Sequence, residues 1–328
     1  MNATVEKIDS ALEVERFRAV PSVAFSVLDS LGTNLYHLRE NDPEPVLLCG
    51  QRQSLTSKQL AEIRDRGHMT LLVRKQDFFA LSGKLLGFLD QVLEDASISV
   101  EERFALLQVA YAEKIEKNFR KPFLEQYIEI AQEVGVKISA LLQDDHVSTQ
   151  SLFDFAHHNS LHYSHITNAT AYAVVLALAM EMADPDELDR IAVGCMLHEV
   201  GKLFLPNDLQ DHHCHLSPYE RQELQRAPQL AYEALCDCQS VDAAQLMMIY
   251  QQSERLDGTG YPVRNVEEEI QAWAKLLAVV DTFDTSTSEA GSRAARNLQD
   301  ALHSLSQGAK THFDPEMILC WITSFQLQ

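Results

Sequence analysis

Cysteine is scarce and scattered in this 328-residue chain: Cys49, Cys195, Cys214, Cys236, Cys238 and Cys320 fall at no regular spacing. Such a set does not read as a disulfide framework and suits a reducing interior. Basic residues are few as well. Lys and Arg number 27 against 48 Asp and Glu, a formal net charge of -21. A surface of that sign repels phosphate backbones and anionic lipid, so nucleic acid and membrane are not expected as partners. A small anionic ligand stays accessible where a local cation or metal overrides the overall field. Long apolar runs are also missing. The longest, around 171–180, falls well short of the ~20 residues a membrane-spanning helix needs. At the N-terminus Glu6, Asp9, Glu13 and Glu15 break up any apolar signal core. The expectation is a soluble, cytoplasmic protein. Hydrophobic residues at 46% and charged residues at 23% exclude a disordered or fibrous chain. The length suits about two domains at roughly 150 residues each.

The patterning points to a mostly α fold class with a small α+β portion in front. Short apolar segments at 24–28, 34–38, 46–49 and 69–73 are divided by turn-rich pieces such as Asn41-Asp42-Pro43. Between the last two, a helix starts at Thr56 or Ser54, shows Leu60 and Ile63 as its apolar face and stops at Gly67. We expect a small α+β accessory or regulatory domain over 1–75. From Lys75 onward Phe78, Leu81, Leu85, Leu89 and Val92 recur at helical spacing, followed by Phe104, Leu107, Ala110, Tyr111, Phe123, Tyr127, Ile130 and Val134. These are connecting helices over 76–147, where Gly83 and Gly87 are expected to allow close helix packing. The stretch 148–328 reads as a helical domain. No internal repeat or low-complexity segment occurs.

Two strings carry chemistry. In Leu197-His198-Glu199-Val200-Gly201-Lys202, an imidazole and a carboxylate beside a helix end can reach one metal ion, with a cation next to them suited to a phosphate oxygen. In Glu254-Arg255-Leu256-Asp257-Gly258-Thr259-Gly260-Tyr261-Pro262, two glycines and a proline around an aromatic residue dictate a fixed loop.

Together these strings resemble the HD-GYP family, bacterial metal-dependent phosphodiesterases that hydrolyse cyclic di-GMP. The resemblance covers roughly 150–325. His198 to Lys202 is similar to the family's HDxGK, and Glu254 to Pro262 to the end of its HHExxDGxGYP. Residues 274–284 resemble the helix bearing its last metal-binding aspartate, here Asp281. His165, 33 residues before His198, suits the first ligand histidine. Phe313-Asp314-Pro315 resembles the start of the C-terminal helix. The resemblance implies an HD-type helical bundle. It implies a divalent metal, iron or manganese, held by His165, His198, Glu199 and Asp281. It makes Lys202 the catalytic and substrate-binding cation, with Arg293 as a second phosphate contact.

The departures are specific. Glu199 stands where the family has aspartate, Ala227-Pro228 where it has histidine-proline, Gln252-Ser253 where it has a histidine pair, Leu161 in place of a glutamate and Ala290 in place of an arginine. The pattern is therefore that of a degenerate, one-metal member with weak or lost hydrolysis. Three readings stay open. The chain is a weak cyclic di-GMP phosphodiesterase, or a non-catalytic module that senses a nucleotide or meets a partner such as a diguanylate cyclase. The third is a one-metal HD phosphohydrolase acting on another nucleotide. In the second reading Asp257, Gly258, Gly260, Tyr261 and Pro262 form a partner surface. Equally, His165, His198 and Asp281 can be core polar groups bonded to one another. His158 and His162 share a helical face with His165 and offer replacement ligands, or else face solvent. His212-His213-Cys214-His215 is too tightly spaced for all four to bind one tetrahedral ion and reads as a polar loop. Cys236 and Cys238 read as ordinary helix residues, and 267–269 as a solvated helix start.

Overall fold

The computed structural model describes residues 16–27, 32–37, 45–51, 53, 55–65, 70–120, 123–144, 147–156, 162–206, 209, 216–288 and 295–326. They form two compact units, Met1–Glu113 and Lys114–Gln328. Among the described residues no helix is long and apolar enough to cross a membrane.

The first unit holds a four-stranded antiparallel sheet of order β1-β4-β2-β3. The strands are β1 (Phe17–Pro21), β2 (Leu35–His37), β3 (Val46–Cys49) and β4 (Thr70–Arg74). Leu71, Leu72 and Val73 of β4 are all buried, as a continuous apolar run in a central strand requires. Two helices punctuate the sheet, α1 (Ala24–Val27) and α2 (Ser57–Asp65). The apolar stretch at 24–28 is therefore helical where described, and the first strand lies earlier. Thr56 caps α2, its hydroxyl accepting from the Gln59 amide at 3.3 Å. The expected stop at Gly67 lies outside the described residues. Three helices follow: α3 (Lys75–Leu86), α4 (Leu89–Glu94) and α5 (Val100–Arg120), which carries the division between the units. Phe78, Leu81 and Leu85 of α3 are buried at the predicted spacing. The expectation for its glycines fails. A Cβ on Gly83 would meet nothing within 4 Å, so no helix packs there, and Gly87 is the α3 C-cap.

The second unit is helical. Its elements are α6 (Leu124–Asp144), α7 (Thr149–Ala156), α8 (His162–Ala179), α9 (Pro185–Leu197), α10 (Pro218–Leu224), α11 (Ala227–Leu235), α12 (Ala243–Gln251), α13 (Ala272–Thr287), α14 (Leu298–Gln307) and α15 (Pro315–Ser324). Short 3-10 turns cover Val200–Phe204 and Glu267–Glu269, so the acidic run opens a turn, not a helix. Helix α8 lies at the centre, against α6, α9, α13 and α15. It is apolar nearly all round, as a central helix must be. Its Thr167 and Thr170 stay buried by donating to the Tyr163 and Ile166 carbonyls, each at 2.8 Å. Phe283 of α13 meets Tyr172 of α8 and Trp321 of α15 edge-on, with ring centroids 5.6 and 5.1 Å apart. Such pairs contribute ~0.5–1.5 kcal/mol each beyond their burial and lock α13 onto α8.

Asp242 caps α12, accepting from the Ala244 and Gln245 amides at 2.8 and 3.0 Å, while Arg190 Nε donates to its other oxygen at 2.6 Å. Burial raises its pKa, but Arg190 and the two amides outweigh this and hold the carboxyl below its ordinary value. A carboxyl lowered on folding stabilises above its unfolded pKa, about 4, and that contribution is lost as pH falls through the folded value. Asp242→Ala is expected to cost ~1–2 kcal/mol in urea denaturation at pH 7. At pH 3 the gap to the unaltered chain should narrow; an unchanged gap would show that the carboxylate contributes nothing through its charge.

Candidate metal centre

Three segments distant in sequence converge beside α8. Helix α8 supplies His165, and α9 ends at Leu197 so that His198 is its C-cap and Glu199 leads into the 3-10 turn. Helix α13 supplies Asp281 and, one turn on, Asp284. His165 Nε2 lies 3.6 Å from Glu199 Oε1 and 3.4 Å from Asp281 Oδ1. His198 Nε2 is 3.9 Å from the same Asp281 oxygen, and the two imidazole centroids are 5.4 Å apart. One ligand atom each from His165, His198 and Glu199 falls within 4.8 Å of the others. The side chain of Asp281 is 33% exposed against 2% for His198, so Asp281 stands at the mouth and His198 at the floor.

The outer bonds of the imidazoles decide which nitrogens face this space. His198 Nδ1 sits 2.6 Å from the Cys195 carbonyl oxygen. A carbonyl only accepts, so Nδ1 carries the hydrogen and Nε2 of the neutral ring presents its lone pair. Burial, the largest influence, lowers the pKa of His198 and keeps it neutral. Nε2 is itself buried and, among the described residues, has no hydrogen-bond partner. A buried polar atom without a partner costs ~1–3 kcal/mol, which a bound cation would relieve. His165 Nδ1 is 2.7 Å from Asp284 Oδ2, and Asn168 Nδ2 donates to the other Asp284 oxygen at 3.0 Å. This is the carboxylate–histidine arrangement that orients a metal-ligating imidazole. Burial opposes charge on His165, yet the Glu199 and Asp284 carboxylates outweigh it and hold its pKa well above the ordinary value. Two nitrogens and a carboxylate oxygen, from His165, His198 and Glu199, make a donor set that could hold a metal ion.

Lys202 Nζ donates to Glu199 Oε1. Burial disfavours its charge, but Glu199 more than compensates and the pKa is raised, with Asp281 and Tyr261 also contributing. The 3-10 turn carrying Lys202 packs against α11. Asp284 and Asn168 were not singled out in the sequence, and Gln252 was marked there only as a departure from the family's histidine pair. Gln252, buried, uses Nε2 to bind the carbonyls of His198 and Ile249, both at 2.9 Å, and so tethers the His198 backbone. The spacing of three from Asp281 to Asp284 and from His165 to Asn168 was the available signal.

The 254–262 loop is built from within. Glu254, buried, accepts from the backbone amides of Val263, Arg264 and Asn265 at 2.8, 3.1 and 3.0 Å. Asp257 Oδ1 takes the Thr259 amide and hydroxyl at 3.0 and 2.6 Å, and Gly258 has φ 72°. A Cβ on Gly260 would collide with the backbone of Glu254 and Arg255. Gly258 and Gly260 thus serve the loop's shape. Asp257 is exposed, and Tyr261 and Pro262 are half-buried. Arg293, Ala290, His157, His158 and the 212–215 run lie outside the described residues, as does the side chain of His162. Cys236 is the C-cap of α11, and Cys236 and Cys238 are free thiols.

With this geometry in place, comparison with known proteins is informative. A family model described as HD domain matches residues 150–317. The cyclic di-GMP phosphodiesterase PA4108 of Pseudomonas aeruginosa is 30% identical over 161 residues, 49% of this chain and 39% of that protein. The cyclic di-GMP phosphodiesterase response regulator RpfG of Xanthomonas campestris pv. campestris is 30% identical over 40% of this chain and 35% of its own length. The 3'3'-cGAMP-specific phosphodiesterase 3 of Vibrio cholerae is 26% identical over 46% of this chain and 33% of its own. The matched stretches are thus less than half the length of each relative. Bd1817, a HDG"Y"P protein from Bdellovibrio bacteriovorus, shares the fold at TM-score 0.65 and 15% identity, over 94% of this chain and 99% of that one.

Proposed function

This chain belongs to the HD domain family and is a distant homologue of HD-GYP cyclic di-GMP phosphodiesterases; on that footing we propose that it is a degenerate, one-metal member that binds cyclic di-GMP and hydrolyses it slowly. The observation that carries the reading is the pair of imidazoles whose outer bonds leave Nε2 of both facing Asp281 and Glu199. These four side chains would hold iron or manganese, the metals implied by the resemblance. Bound there, a divalent cation would supply Lewis-acid chemistry, polarising a phosphate oxygen and lowering the pKa of a water.

The chain's own residues divide the remaining work. Asp284 and Gln252 hold the ligand imidazole and the ligand backbone in place. Lys202, released from Glu199, steadies the phosphate, with Arg293 as a second contact. Slow turnover follows from the positions held by Gln252, Ser253 and Ala227: none offers an imidazole, so the two-ion clamp on attacking and leaving oxygens is not assembled. A relative named for 3'3'-cGAMP supports cyclic dinucleotides as the substrate class.

One observation favours a second, non-catalytic reading, in which the loop containing Asp257, Tyr261 and Pro262 meets a partner such as a diguanylate cyclase. The Lys202 ammonium already neutralises the Glu199 oxygen that a metal would use. Metal analysis of the purified full chain, with a hydrolysis assay in added manganese, separates the two. We expect one metal per chain and slow conversion of cyclic di-GMP. A chain that takes up no metal and converts nothing belongs to the second reading, and turnover confined to another nucleotide assigns a different substrate.

A further inference from the structure

The second unit contains a cavity of about 490 Å³ that reaches α13, where Thr282, the residue after Asp281, lines it. Its volume lies within the ~300–1,000 Å³ usual for small-molecule sites. Arg255, Arg296 and His312 line it together with hydroxyls such as Ser286 and Ser304, and among the described residues no carboxylate does. In a chain of net charge -21 such a lining is not what composition alone would place there.

The cations are held in position. Arg296 Nη1 donates to Ser304 Oγ at 2.7 Å and its backbone amide to the Ser286 carbonyl at 3.0 Å. Among the described residues no carboxylate pairs with its guanidinium. Arg255 has its guanidinium carbon over the Phe313 ring, 5.0 Å from the centroid, and donates from Nη1 to the Glu254 carbonyl at 3.1 Å. A guanidinium carries five N–H donors in a fork that matches phosphate oxygens. Burial disfavours its charge, while Asp281, Tyr261, Asp257 and Glu254 favour it. His312 has Asp257 Oδ2 at 3.9 Å.

We propose that this cavity is a phosphate subsite, in which Arg255, Arg296 and His312 hold a nucleotide phosphate next to α13, the helix that carries Asp281. The phosphate chemistry stands on the cavity itself; the choice of a nucleotide rests on the function proposed above. For a cyclic dinucleotide it provides a place for the phosphate that does not face the metal ligands.

The test is calorimetric titration of the metal-stripped full chain with GMP at low salt. Arg296→Gln is expected to weaken GMP binding about tenfold or more, since hydrogen bonds between charged groups are the strong ones. Ser304→Ala, which frees the same guanidinium, should weaken it less, and Lys114→Gln, which removes an exposed cation paired with Glu133 on another face, should leave it unchanged. A GMP affinity above that of inorganic phosphate identifies a nucleotide phosphate; equal affinities keep the subsite and assign it the free anion. No binding, or binding that falls no more with folded Arg296→Gln than with Lys114→Gln, overturns the proposal. The measurement needs neither metal nor turnover, so its failure leaves the metal-pocket reading standing, and an inactive, metal-free protein leaves the subsite standing.

Discussion

His198→Ala is expected to weaken metal uptake ~100-fold and, with it, any cyclic di-GMP hydrolysis. The imidazole at the floor of the pocket offers a lone pair whose direction is set by the Cys195 carbonyl. Structural zinc sites bind with ~10–16 kcal/mol over four ligands, so one ligand is worth about 3 kcal/mol, or ~100-fold in affinity. Thermal unfolding reads this without turnover. At manganese 100-fold above its Kd, binding to the native state adds about 2.7 kcal/mol. For a unit the size of Lys114–Gln328, each kcal/mol moves Tm by about 2–4 °C, so the unaltered chain should gain ~5–11 °C. His198→Ala, ~100-fold weaker, should gain only about 0.4 kcal/mol at that concentration, less than ~2 °C. Because this buried position leaves a cavity on truncation, His165→Ala, at the more exposed side of the pocket, serves as the second variant and should also lose most of the gain. Equal manganese shifts in all three proteins would show that the cation binds elsewhere.

Gly201→Ala is expected to be the most disruptive single methyl in the second unit. The added Cβ would fall on the Ala227 carbonyl oxygen and lie 2.7 Å from its carbon and 2.9 Å from the Ala231 nitrogen. These are backbone atoms of α11 and cannot rotate away, so the turn bearing Lys202 must lift off the helix. Overpacking of this kind costs typically 1–3 kcal/mol and occasionally more. We expect about 3 kcal/mol, a fall in Tm of ~6–12 °C, together with disordered phosphate handling because Lys202 is the next residue. Gly83→Ala is the matched control. It is exposed, its Cβ meets nothing within 4 Å, and it lies inside α3, where alanine is favoured over glycine by ~0.5–1 kcal/mol. A Gly201→Ala protein melting within 2 °C of the unaltered chain would mean that the turn does not sit on α11 as described.

Much of the fold was legible in the order of residues, because helices and caps are local. The spacing of Phe78, Leu81 and Leu85 places one buried face, and Thr56, Asp242 and Asp314 each cap the helix that follows. The errors came where local pattern and packing part company. The segment at 24–28 is apolar enough for a strand, but the sheet takes Phe17–Pro21 and leaves Ala24–Val27 to form a single helical turn. Gly83 is small without a neighbour to be small for. A glycine whose smallness does matter for packing is Gly201, and nothing near it in sequence says that Ala227 will be its contact.

The site divides in the same way. Residue types and their order along the chain, seen through the family resemblance, were enough to select His165, His198, Glu199 and Asp281 as candidates and to mark Gln252, Ser253 and Ala227 as departures. Only the packing of α13 and the α9 terminus on α8 could decide that Asp284 orients His165, that Gln252 tethers the His198 backbone, and that Lys202 rests on Glu199. The physical reason is range. Periodicity and capping depend on neighbours three or four positions away, whereas a ligand set depends on how whole helices cross, and that is settled by aromatic contacts such as Phe283 with Tyr172 and Trp321, residues far apart in the chain.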